Sequence, residues 1–360
     1  MGDNRDINFQ STQRQNRILP EDSFGDWKWR EALAELMVPL IGSLYRDGIN
    51  IMIYGKSLVN ESPVAIMKAH RFARQSDNNE LSEFETYPMI EYIKTLNLHD
   101  CEIDIGEIAV KCPFFNEIKE DQSKIADYLD EELKDVINIE TKRPDEPMPI
   151  VLYGFGRIGR LLARMMTQTT GPGNYFRIKA IVIRKAAEDD IFKRASLLSR
   201  DSVHGPFDGT VRVDEDNSLL VVNGNAIKII YASGPEEVNY SDYGIKNPLV
   251  IDNTGVWRDE EALSKHINSG ASKVILTAPA KGDVKNVVFG INDHILDDSD
   301  NVISAASCTT NAIVPVLKAV NEEYSIKGGH VETVHAYTND QNLIDNFHKG
   351  DRRGRGAPLN

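Results

Sequence analysis

A cysteine stands where a helix is predicted to begin. Cys308 lies in the segment Ser304-Ala-Ala-Ser-Cys-Thr-Thr-Asn311, and a helical run follows from Ala312 to about Val320. The dipole at a helix N-terminus lowers the pKa of a thiol, and the thiolate is the nucleophilic form. The small neighbouring residues leave room for a substrate. Cys308 is therefore a candidate nucleophile, and a buried structural thiol is the alternative.

A catalytic thiolate needs a basic partner, and His335 is the candidate. It lies in Thr333-Val-His-Ala-Tyr-Thr338, within a segment, Val331–Tyr337, that is predicted to be a strand. A histidine on a strand is more often structural than catalytic, and sequence spacing alone does not bring His335 to Cys308. The other cysteines, Cys101 and Cys112, have no such setting and are predicted to be core thiols.

A glycine-rich turn, Gly154-Phe-Gly-Arg-Ile-Gly-Arg160, follows the apolar strand Ile150–Tyr153 and opens a predicted helix, Arg157–Thr167. In this context the pattern G-x-G-x-x-G binds the diphosphate of a dinucleotide. Its glycines allow, in order, a tight turn, close approach of the pyrophosphate, and close packing of the helix on the strand. The diphosphate would lie at the helix N-terminus, which favours negative charge. The alternative is a turn without a ligand.

The end of the second predicted strand bears on the choice of dinucleotide. Ile178–Ile183 runs directly into Arg184 and Lys185, and no carboxylate appears before Glu188. An acid at this position binds the ribose hydroxyls of NAD, whereas basic groups suit the 2′-phosphate of NADP. The sequence therefore predicts NAD or NADP as the cofactor, with the basic pair favouring NADP. Alternatively, both side chains simply point into solvent.

The elements that carry these candidates alternate between strands and helices. Leu249–Asn253 and Val274–Thr277 are predicted to be buried parallel strands, with a helix over Glu260–Ser269 between them. Three shorter segments are predicted to be antiparallel strands, namely Val211–Val213, Leu219–Val222 and Ile227–Ile230. This alternation is typical of a doubly wound α/β domain of the Rossmann type.

The first part of the chain has a different, mainly helical pattern. Apolar residues recur at three- and four-residue spacing from Trp27 onward. Further helices are predicted over Pro63–Arg74, Glu83–Leu96 and Gln122–Ile137. Three prolines between Thr141 and Pro149 indicate a linker. We therefore predict a helical extension and linker over residues 1–146, followed by an NAD(P)-binding Rossmann domain over residues 147–307.

Composition excludes several classes of protein. The net charge of −14 argues against nucleic acid as a partner, because nucleic-acid binders usually present a basic face. No apolar run is long enough to span a membrane, and the polar N-terminus lacks the apolar core of a secretory signal. The three cysteines form neither a disulfide framework nor C-x-x-C spacing, so no metal site is expected. A cytoplasmic location is the default expectation.

Six short sequence motifs occur between residue 154 and residue 341. They are GFGRIGR, RDSVHG at 200–205, NTGVW at 253–257, LTAPAKGD at 276–283, SCTTN at 307–311 and VHAYTNDQ at 334–341. In type, order and approximate spacing they resemble the phosphorylating glyceraldehyde-3-phosphate dehydrogenases, from about residue 147 to the end of the chain. The region before it looks like the N-terminal extension of long bacterial-type members.

The resemblance implies a covalent mechanism on a phosphorylated aldehyde. Cys308 would attack the aldehyde, His335 would hold the thiolate and take the hydroxyl proton, and a thioester would form as NAD or NADP is reduced. Inorganic phosphate would then release an acyl phosphate. Ser307 and Thr309 match the residues that bind the attacking phosphate. The substrate phosphate would be bound by Thr338, with support from Asp340, and by Arg355 of an arginine-rich loop, whose alternative is a solvated basic loop.

The glycine pattern, the basic end of the second strand and the resemblance together give the expected cofactor contacts, which are Gly154, Phe155, Gly156, Arg157, Ile158, Gly159, Arg184, Lys185 and Thr277. Family members are usually homotetramers and continue well beyond the position of Asn360. Residues 308–360 are therefore expected to be the beginning of an α+β catalytic domain, and the chain to be a truncated one.

Two other functions remain open at the level of sequence. A related enzyme would oxidise another aldose phosphate, such as erythrose 4-phosphate, with the same Cys308 and His335. A protein of another class would bind the nucleotide or mediate assembly without turnover, and replacing Cys308 would then change nothing measurable.

Overall fold

The computed structural model describes residues 23–77, 81–113, 123–139, 146–168 and 175–336. In its first part, helices surround a small sheet. The elements are α1 (Ser23–Arg46), β1 (Asn50–Ile53), β2 (Lys56–Ser57), α2 (Pro63–Asp77), α3 (Glu83–Ile93), β3 (Glu102–Asp104), α4 (Ile105–Lys111) and α5 (Ser123–Glu132).

The predicted helices form because their apolar residues recur at helical spacing. On α1, Ala34, Met37, Ile41 and Leu44 are fully buried in one core, whereas Trp29 on another side of the helix stays exposed. The sequence analysis did not predict the three-stranded sheet, whose order is β2-β1-β3 with β1 parallel to β3. These strands have only two to four residues each and lie between helices, where so short a run does not by itself distinguish a strand from other structure.

The second part alternates strands and helices. Its elements are β4 (Met148–Tyr153), α6 (Arg157–Gln168), β5 (Phe176–Ile183), α7 (Asp190–Ser199), β6 (Arg200–Asp201), β7 (Gly205–Pro206), β8 (Val211–Asp214), β9 (Leu219–Val222), β10 (Asn225–Tyr231), β11 (Leu249–Asp252), α8 (Glu260–Asn268), β12 (Lys273–Leu276), β13 (Lys285–Asn286), β14 (Val302–Ser304) and α9 (Cys308–Tyr324).

One nine-stranded sheet organises this part, in the order β13-β14-β12-β11-β4-β5-β10-β9-β8. The strands from β13 to β10 are parallel, and β9 and β8 extend the sheet in antiparallel fashion. The predicted doubly wound α/β fold is confirmed. The three short strands predicted to be antiparallel do pair in that way, β8 with β9 and β9 with β10. The additional parallel pairing of β10 with β5 was not predicted, because periodicity identifies strands but not all of their partners.

Helices cover both faces of this sheet. Alternate residues of β4 enter different cores, with Leu152 packed in one and Val151 in the other. Ala163 of α6 belongs to the first core, and Leu263 of α8 belongs to the second. Burial on both faces explains why the central strands are continuously apolar.

Two predictions near the end of the described chain had different outcomes. The helix that follows the SCTTN segment begins at Cys308 itself and runs to Tyr324. The predicted strand Val331–Tyr337 was wrong over residues 331–336, which have no regular secondary structure, and Tyr337 lies outside the described residues. A strand requires a hydrogen-bonded neighbour, and no described strand pairs with residues 331–336.

Within the described ranges, no helix combines the length and apolar character that a membrane span needs.

Candidate active site

The carboxyl ends of four parallel strands meet at one edge of the large sheet. Gly154 follows β4, Asn253 follows β11, Thr277 follows β12, and the segment leading to Cys308 follows β14. In open α/β sheets, ligands bind outside this edge, where the strand order reverses. The central strand β4 has β5 on one side and β11 on the other, so the glycine turn lies at that reversal.

Close contacts require glycine at the first and last positions of the G-x-G-x-x-G pattern. Gly154 has a φ of +87°, and a Cβ built on it would lie 2.7 Å from Cγ2 of Thr254. A Cβ on Gly159 would lie 2.4 Å from the carbonyl oxygen of Gly154. Gly154 therefore allows the turn to pack directly against Thr254. Gly159 allows the first turn of α6 to pack directly against the glycine turn.

The middle glycine has no such explanation within the protein. Gly156 is not in the left-handed region, and a Cβ built on it would meet no atom within 4 Å. Neither packing nor backbone conformation therefore requires glycine there. A dinucleotide diphosphate approaching the N-terminus of α6 would need this open space, so the residues present fit NAD or NADP.

The remaining residues of the turn differ in exposure. Phe155 is buried, whereas Ile158 is exposed. Arg157 and Arg160 both reach Asp201, with N–O distances of 3.5 and 3.4 Å. Backbone N–H groups of His204 and Val203 also donate to Asp201 and hold the pKa of this carboxyl well below its usual range. An ionised Asp201 thus fixes the direction of both arginines at the start of α6.

The two basic residues after β5 are exposed. The ammonium group of Lys185 lies 5.7 Å from the centre of the Tyr231 ring, at the end of the neighbouring strand β10. This contact holds Lys185 loosely at the sheet edge. Arg184 likewise follows β5 directly at that edge.

Thr277 faces the protein rather than open space. Its hydroxyl lies 3.1 Å from the Asp252 carbonyl oxygen and 3.2 Å from Oδ1 of Asn253. The Asn253 amide in turn donates to the carbonyl of Ile251 at 3.0 Å and lies 3.4 Å from that of Gly154. Thr277 therefore steadies the residue that bridges β11 to the glycine turn.

A sharp turn delivers Cys308 from β14 to the first position of α9. Ala306 has a φ of +60°, an uncommon conformation for a residue with a side chain. Its N–H donates to the Ser304 hydroxyl at 3.0 Å. Ser307 is the N-cap, and its hydroxyl accepts from the N–H of Thr309 at 3.2 Å. The thiol thus lies at the positive end of a 17-residue helix.

The structure brings Cys308 and His335 together. Sγ of Cys308 lies 3.3 Å from Nε2 of His335, and Nδ1 of the same ring lies 2.6 Å from the Ala336 carbonyl. Because that carbonyl only accepts, Nδ1 carries a proton and Nε2 is the nitrogen that exchanges a proton with sulfur. This hydrogen bond lowers the pKa of the Cys308 thiol below its usual 9.0 and raises the pKa of His335 above 6.5. Both shifts favour a thiolate–imidazolium pair.

The other two cysteines lack this setting. Cys112 is fully buried, and burial raises the pKa of Cys101. Burial thus favours the neutral thiol at Cys101. Cys308 is exposed, so a substrate can reach its sulfur.

Ser307 and Thr309 flank the thiol on either side. Both hydrogen-bond to Cys308 in a way that lowers its pKa further. The structure thereby places these two predicted phosphate-binding residues next to the nucleophile. Thr338, Asp340 and Arg355 lie outside the described residues.

An open cavity of about 410 Å³ adjoins the start of α9. Ser307, Thr310 and Val314 line one side of it, and Asn286 and Ile291 line the other. Cys308 is not among its lining residues. The cavity therefore lies beside the thiol–imidazole pair and does not contain it.

Sequence reasoning missed two buried residues beneath the strand ends, Asp252 and His266. Nε2 of His266 lies 3.2 Å from Oδ2 of Asp252, and both side chains are fully buried. Asp252 could have been noticed from the sequence, because it is a carboxylate at the end of an otherwise apolar predicted strand. The partner on α8 could not be identified without the tertiary structure.

Comparison with known proteins is consistent with this geometry. Residues 148–260 match the family model described as the NAD binding domain of glyceraldehyde 3-phosphate dehydrogenase. Residues 307–360 match the model of the C-terminal domain of the same enzyme. These two matches include the glycine turn and the SCTTN segment.

Individual relatives agree. A glyceraldehyde-3-phosphate dehydrogenase-like protein of Pseudomonas aeruginosa is 54% identical over 328 residues, which cover 90% of this chain and 70% of that protein. Glyceraldehyde-3-phosphate dehydrogenases of Thermotoga maritima and Clostridium acetobutylicum are 40% and 38% identical, over 59% and 58% of this chain. The chain spans 60% of each of these two enzymes. The Pseudomonas alignment, at 328 residues, is too long to fit within residues 148–360, so its similarity extends into the first part of the chain.

Proposed function

The chain belongs to the glyceraldehyde-3-phosphate dehydrogenase family, and on that premise we propose that it oxidises glyceraldehyde 3-phosphate to 1,3-bisphosphoglycerate with inorganic phosphate. The observation that carries the proposal is the 3.3 Å contact between Cys308 Sγ and His335 Nε2 at the start of α9.

The first step is attack of the Cys308 thiolate on the aldehyde carbon. A C–S bond forms, and the electron pair of the carbonyl moves to its oxygen, which gains a proton to give a thiohemiacetal. The imidazolium of His335 lies next to the sulfur, so it is close enough to donate that proton to the carbonyl oxygen of the bound aldehyde. The lowered pKa of Cys308 supports this step, because only the thiolate attacks efficiently.

His335 then acts as a base. Its Nε2 takes back the hydroxyl proton, and the C–O bond regains double-bond character while carbon loses hydrogen with its electron pair. Bound NAD or NADP supplies the oxidant for this step by accepting that hydrogen and electron pair. The product is a thioester on Cys308, with His335 again protonated.

Inorganic phosphate completes the reaction by attacking the thioester carbon. The new bond forms from a phosphate oxygen, the C–S bond breaks, and the thiolate leaves with its charge stabilised by His335 and the helix N-terminus. We infer that Ser307 and Thr309 hold the phosphate, since they are the chain neighbours of Cys308 and their hydroxyl groups lower the pKa of its thiol. The acyl phosphate is then released.

The cofactor would bind along the edge formed by Gly154–Gly159, with its diphosphate over Gly156. Members of this family are NAD-dependent oxidoreductases. We propose that this chain also accepts NADP, because Arg184 and Lys185 stand where the 2′-phosphate would lie. Both side chains are exposed at the edge of the sheet.

The test is nicotinamide reduction, followed by absorbance, with glyceraldehyde 3-phosphate, inorganic phosphate and either NAD or NADP. The decisive variant is Cys308→Ala, which should abolish turnover while leaving cofactor binding intact. Cys101→Ala is the matched control, because that thiol lies outside the site and should not matter.

Omitting phosphate separates the two halves of the reaction. We expect a single burst of reduced cofactor, equal to the amount of Cys308, followed by slow hydrolysis of the thioester. Turnover that survives Cys308→Ala would contradict the proposal. Cofactor binding without turnover in the unaltered chain would instead favour a non-catalytic nucleotide-binding role.

A further inference from the structure

We propose that His266 and Asp252 are positioning residues that fix the loop of residues 253–257 against the glycine turn and so set the affinity for the dinucleotide. This inference rests on the proposed cofactor use. Neither side chain lines the surface, since both are fully buried. They would act through Thr254 and Asn253.

Asp252 is the centre of the arrangement. Its Oδ1 accepts two hydrogen bonds from Thr254, at 2.7 Å from the backbone N–H and 2.6 Å from the hydroxyl. Its Oδ2 faces Nε2 of His266 at 3.2 Å. One carboxylate therefore ties the first turn of the loop to the helix α8 behind the sheet.

The loop in turn contacts the glycine turn at two points. The methyl group of Thr254 lies so close to Gly154 that a Cβ there would be 2.7 Å away. The Asn253 amide lies 3.4 Å from the Gly154 carbonyl, and the Asn253 N–H donates to the Tyr153 carbonyl at 2.7 Å. A shift of Thr254 would therefore be transmitted to the turn that receives the diphosphate.

The orientation of the His266 ring follows from its surroundings. A carboxylate oxygen accepts, so the N–H at Nε2 is the donor in the contact with Asp252. Nδ1 is buried and has no hydrogen-bond partner among the described residues. Tyr153 and Trp257 pack edge-on against this ring, with centroids 4.6 and 6.0 Å away, and hold its orientation.

A buried carboxylate–imidazole pair is weak evidence for a purely stabilising role. Asp252 of β11 is paired with Leu276 of β12. The neighbouring strand therefore carries an apolar residue at the position that corresponds to Asp252. A buried ion pair can often be replaced as a whole by apolar residues without loss of stability, whereas removing one partner alone is destabilising. What an apolar residue could not provide is the pair of acceptor bonds that shape the start of the loop.

The test is binding of NAD and of NADP to the full chain, by calorimetry without substrate. His266→Leu removes the donor at similar volume, and His266→Gln retains an N–H donor near the position of Nε2. Thr254→Val removes one bond to Asp252 but keeps the shape. His294→Leu, at an exposed histidine, is the matched control.

We expect His266→Leu and Thr254→Val each to weaken binding by about tenfold or more, because small displacements of a positioning loop are costly. His266→Gln should restore most of the affinity. The double variant should bind about as weakly as the weaker single variant, because both changes act through Asp252.

Three results would overturn the inference. They are unchanged affinity in Thr254→Val and in a folded His266→Leu, strictly additive losses in the double variant, or no binding of either cofactor by the unaltered chain. If His266→Leu does not fold, the affinity of Thr254→Val decides. A chain that binds cofactor through this network but never turns over would contradict the proposed reaction and leave this inference standing.

Discussion

The glycine turn after β4 and the thiol–imidazole pair at α9 lie at the same edge of one sheet but are held in different ways. The turn is fixed from beneath by buried groups, with Thr254, Asn253 and the Asp252–His266 pair in mutual contact. The pair of Cys308 and His335 is exposed and is joined by one contact of 3.3 Å. His335 also lies on residues without regular secondary structure.

This difference separates two kinds of expected effect. Changes at the turn should alter stability or cofactor affinity, because buried contacts are lost. Changes at the exposed pair should alter chemistry while leaving stability nearly unchanged, since exposed substitutions usually cost less than about 0.5 kcal/mol.

The largest effect in this comparison should come from His335→Asn. We expect kcat to fall by about 10²- to 10⁴-fold, the usual contribution of a positioned acid–base group. The melting temperature should stay within about 2 °C of that of the unaltered chain, because the ring is exposed. A variant that loses stability but keeps its turnover would reverse the distinction between the two regions.

The same variant should also shift the pH dependence of thiol alkylation. Because His335 lowers the pKa of Cys308, the thiolate is lost on acidification at a lower pH in the unaltered chain than in His335→Asn. The alkylation profile of the variant should therefore move in the alkaline direction, towards the usual thiol value of 9.0. Identical profiles would show that the 3.3 Å contact does not persist in solution.

The intermediate effect comes from a matched pair of glycine variants. Gly159→Ala should destabilise the fold by about 1–3 kcal/mol, because its Cβ would lie 2.4 Å from the Gly154 carbonyl. Gly156→Ala should leave stability within about 0.5 kcal/mol, because its Cβ meets nothing, but should weaken NAD binding. Thermal melts and calorimetry separate the two. Equal losses of stability would mean that Gly156 is also required by packing.

The smallest effect should come from Lys185→Ala. It should raise the KM for NADP severalfold and leave the KM for NAD nearly unchanged, because an exposed ammonium group contributes a weak, salt-screened attraction to a 2′-phosphate. Added salt should reduce the difference. Lys179→Ala, on the exposed part of β5, is a control that should change neither value. An equal change in both KM values would argue against recognition of the 2′-phosphate.

Much of the fold could be predicted because hydrophobic periodicity and glycine positions are local features of the sequence. The strand before Gly154, the helix after it and the antiparallel hairpin of β8 and β9 follow from periodicity over a few residues. The strands of two or three residues, including β14 before Cys308, were too short to give that signal, and β1 was also not predicted. The pairing of β10 with β5 depends on chain segments far apart in sequence. The domain boundaries near residues 146 and 307 stay predictions.

By itself, the sequence determined the chemistry available to this protein. Residue type and order are enough to predict a helix N-terminus after Gly156 and another near Cys308. They also reveal the family pattern and a histidine downstream of the cysteine. These features can be read from the sequence because helix dipoles and thiol reactivity are local properties. Only the tertiary structure decided which groups meet. The 3.3 Å contact between Cys308 and His335, and the buried link from His266 through Asp252 to Thr254, depend on strand order and helix placement. These arise from the packing of the whole sheet and cannot be read from any one segment.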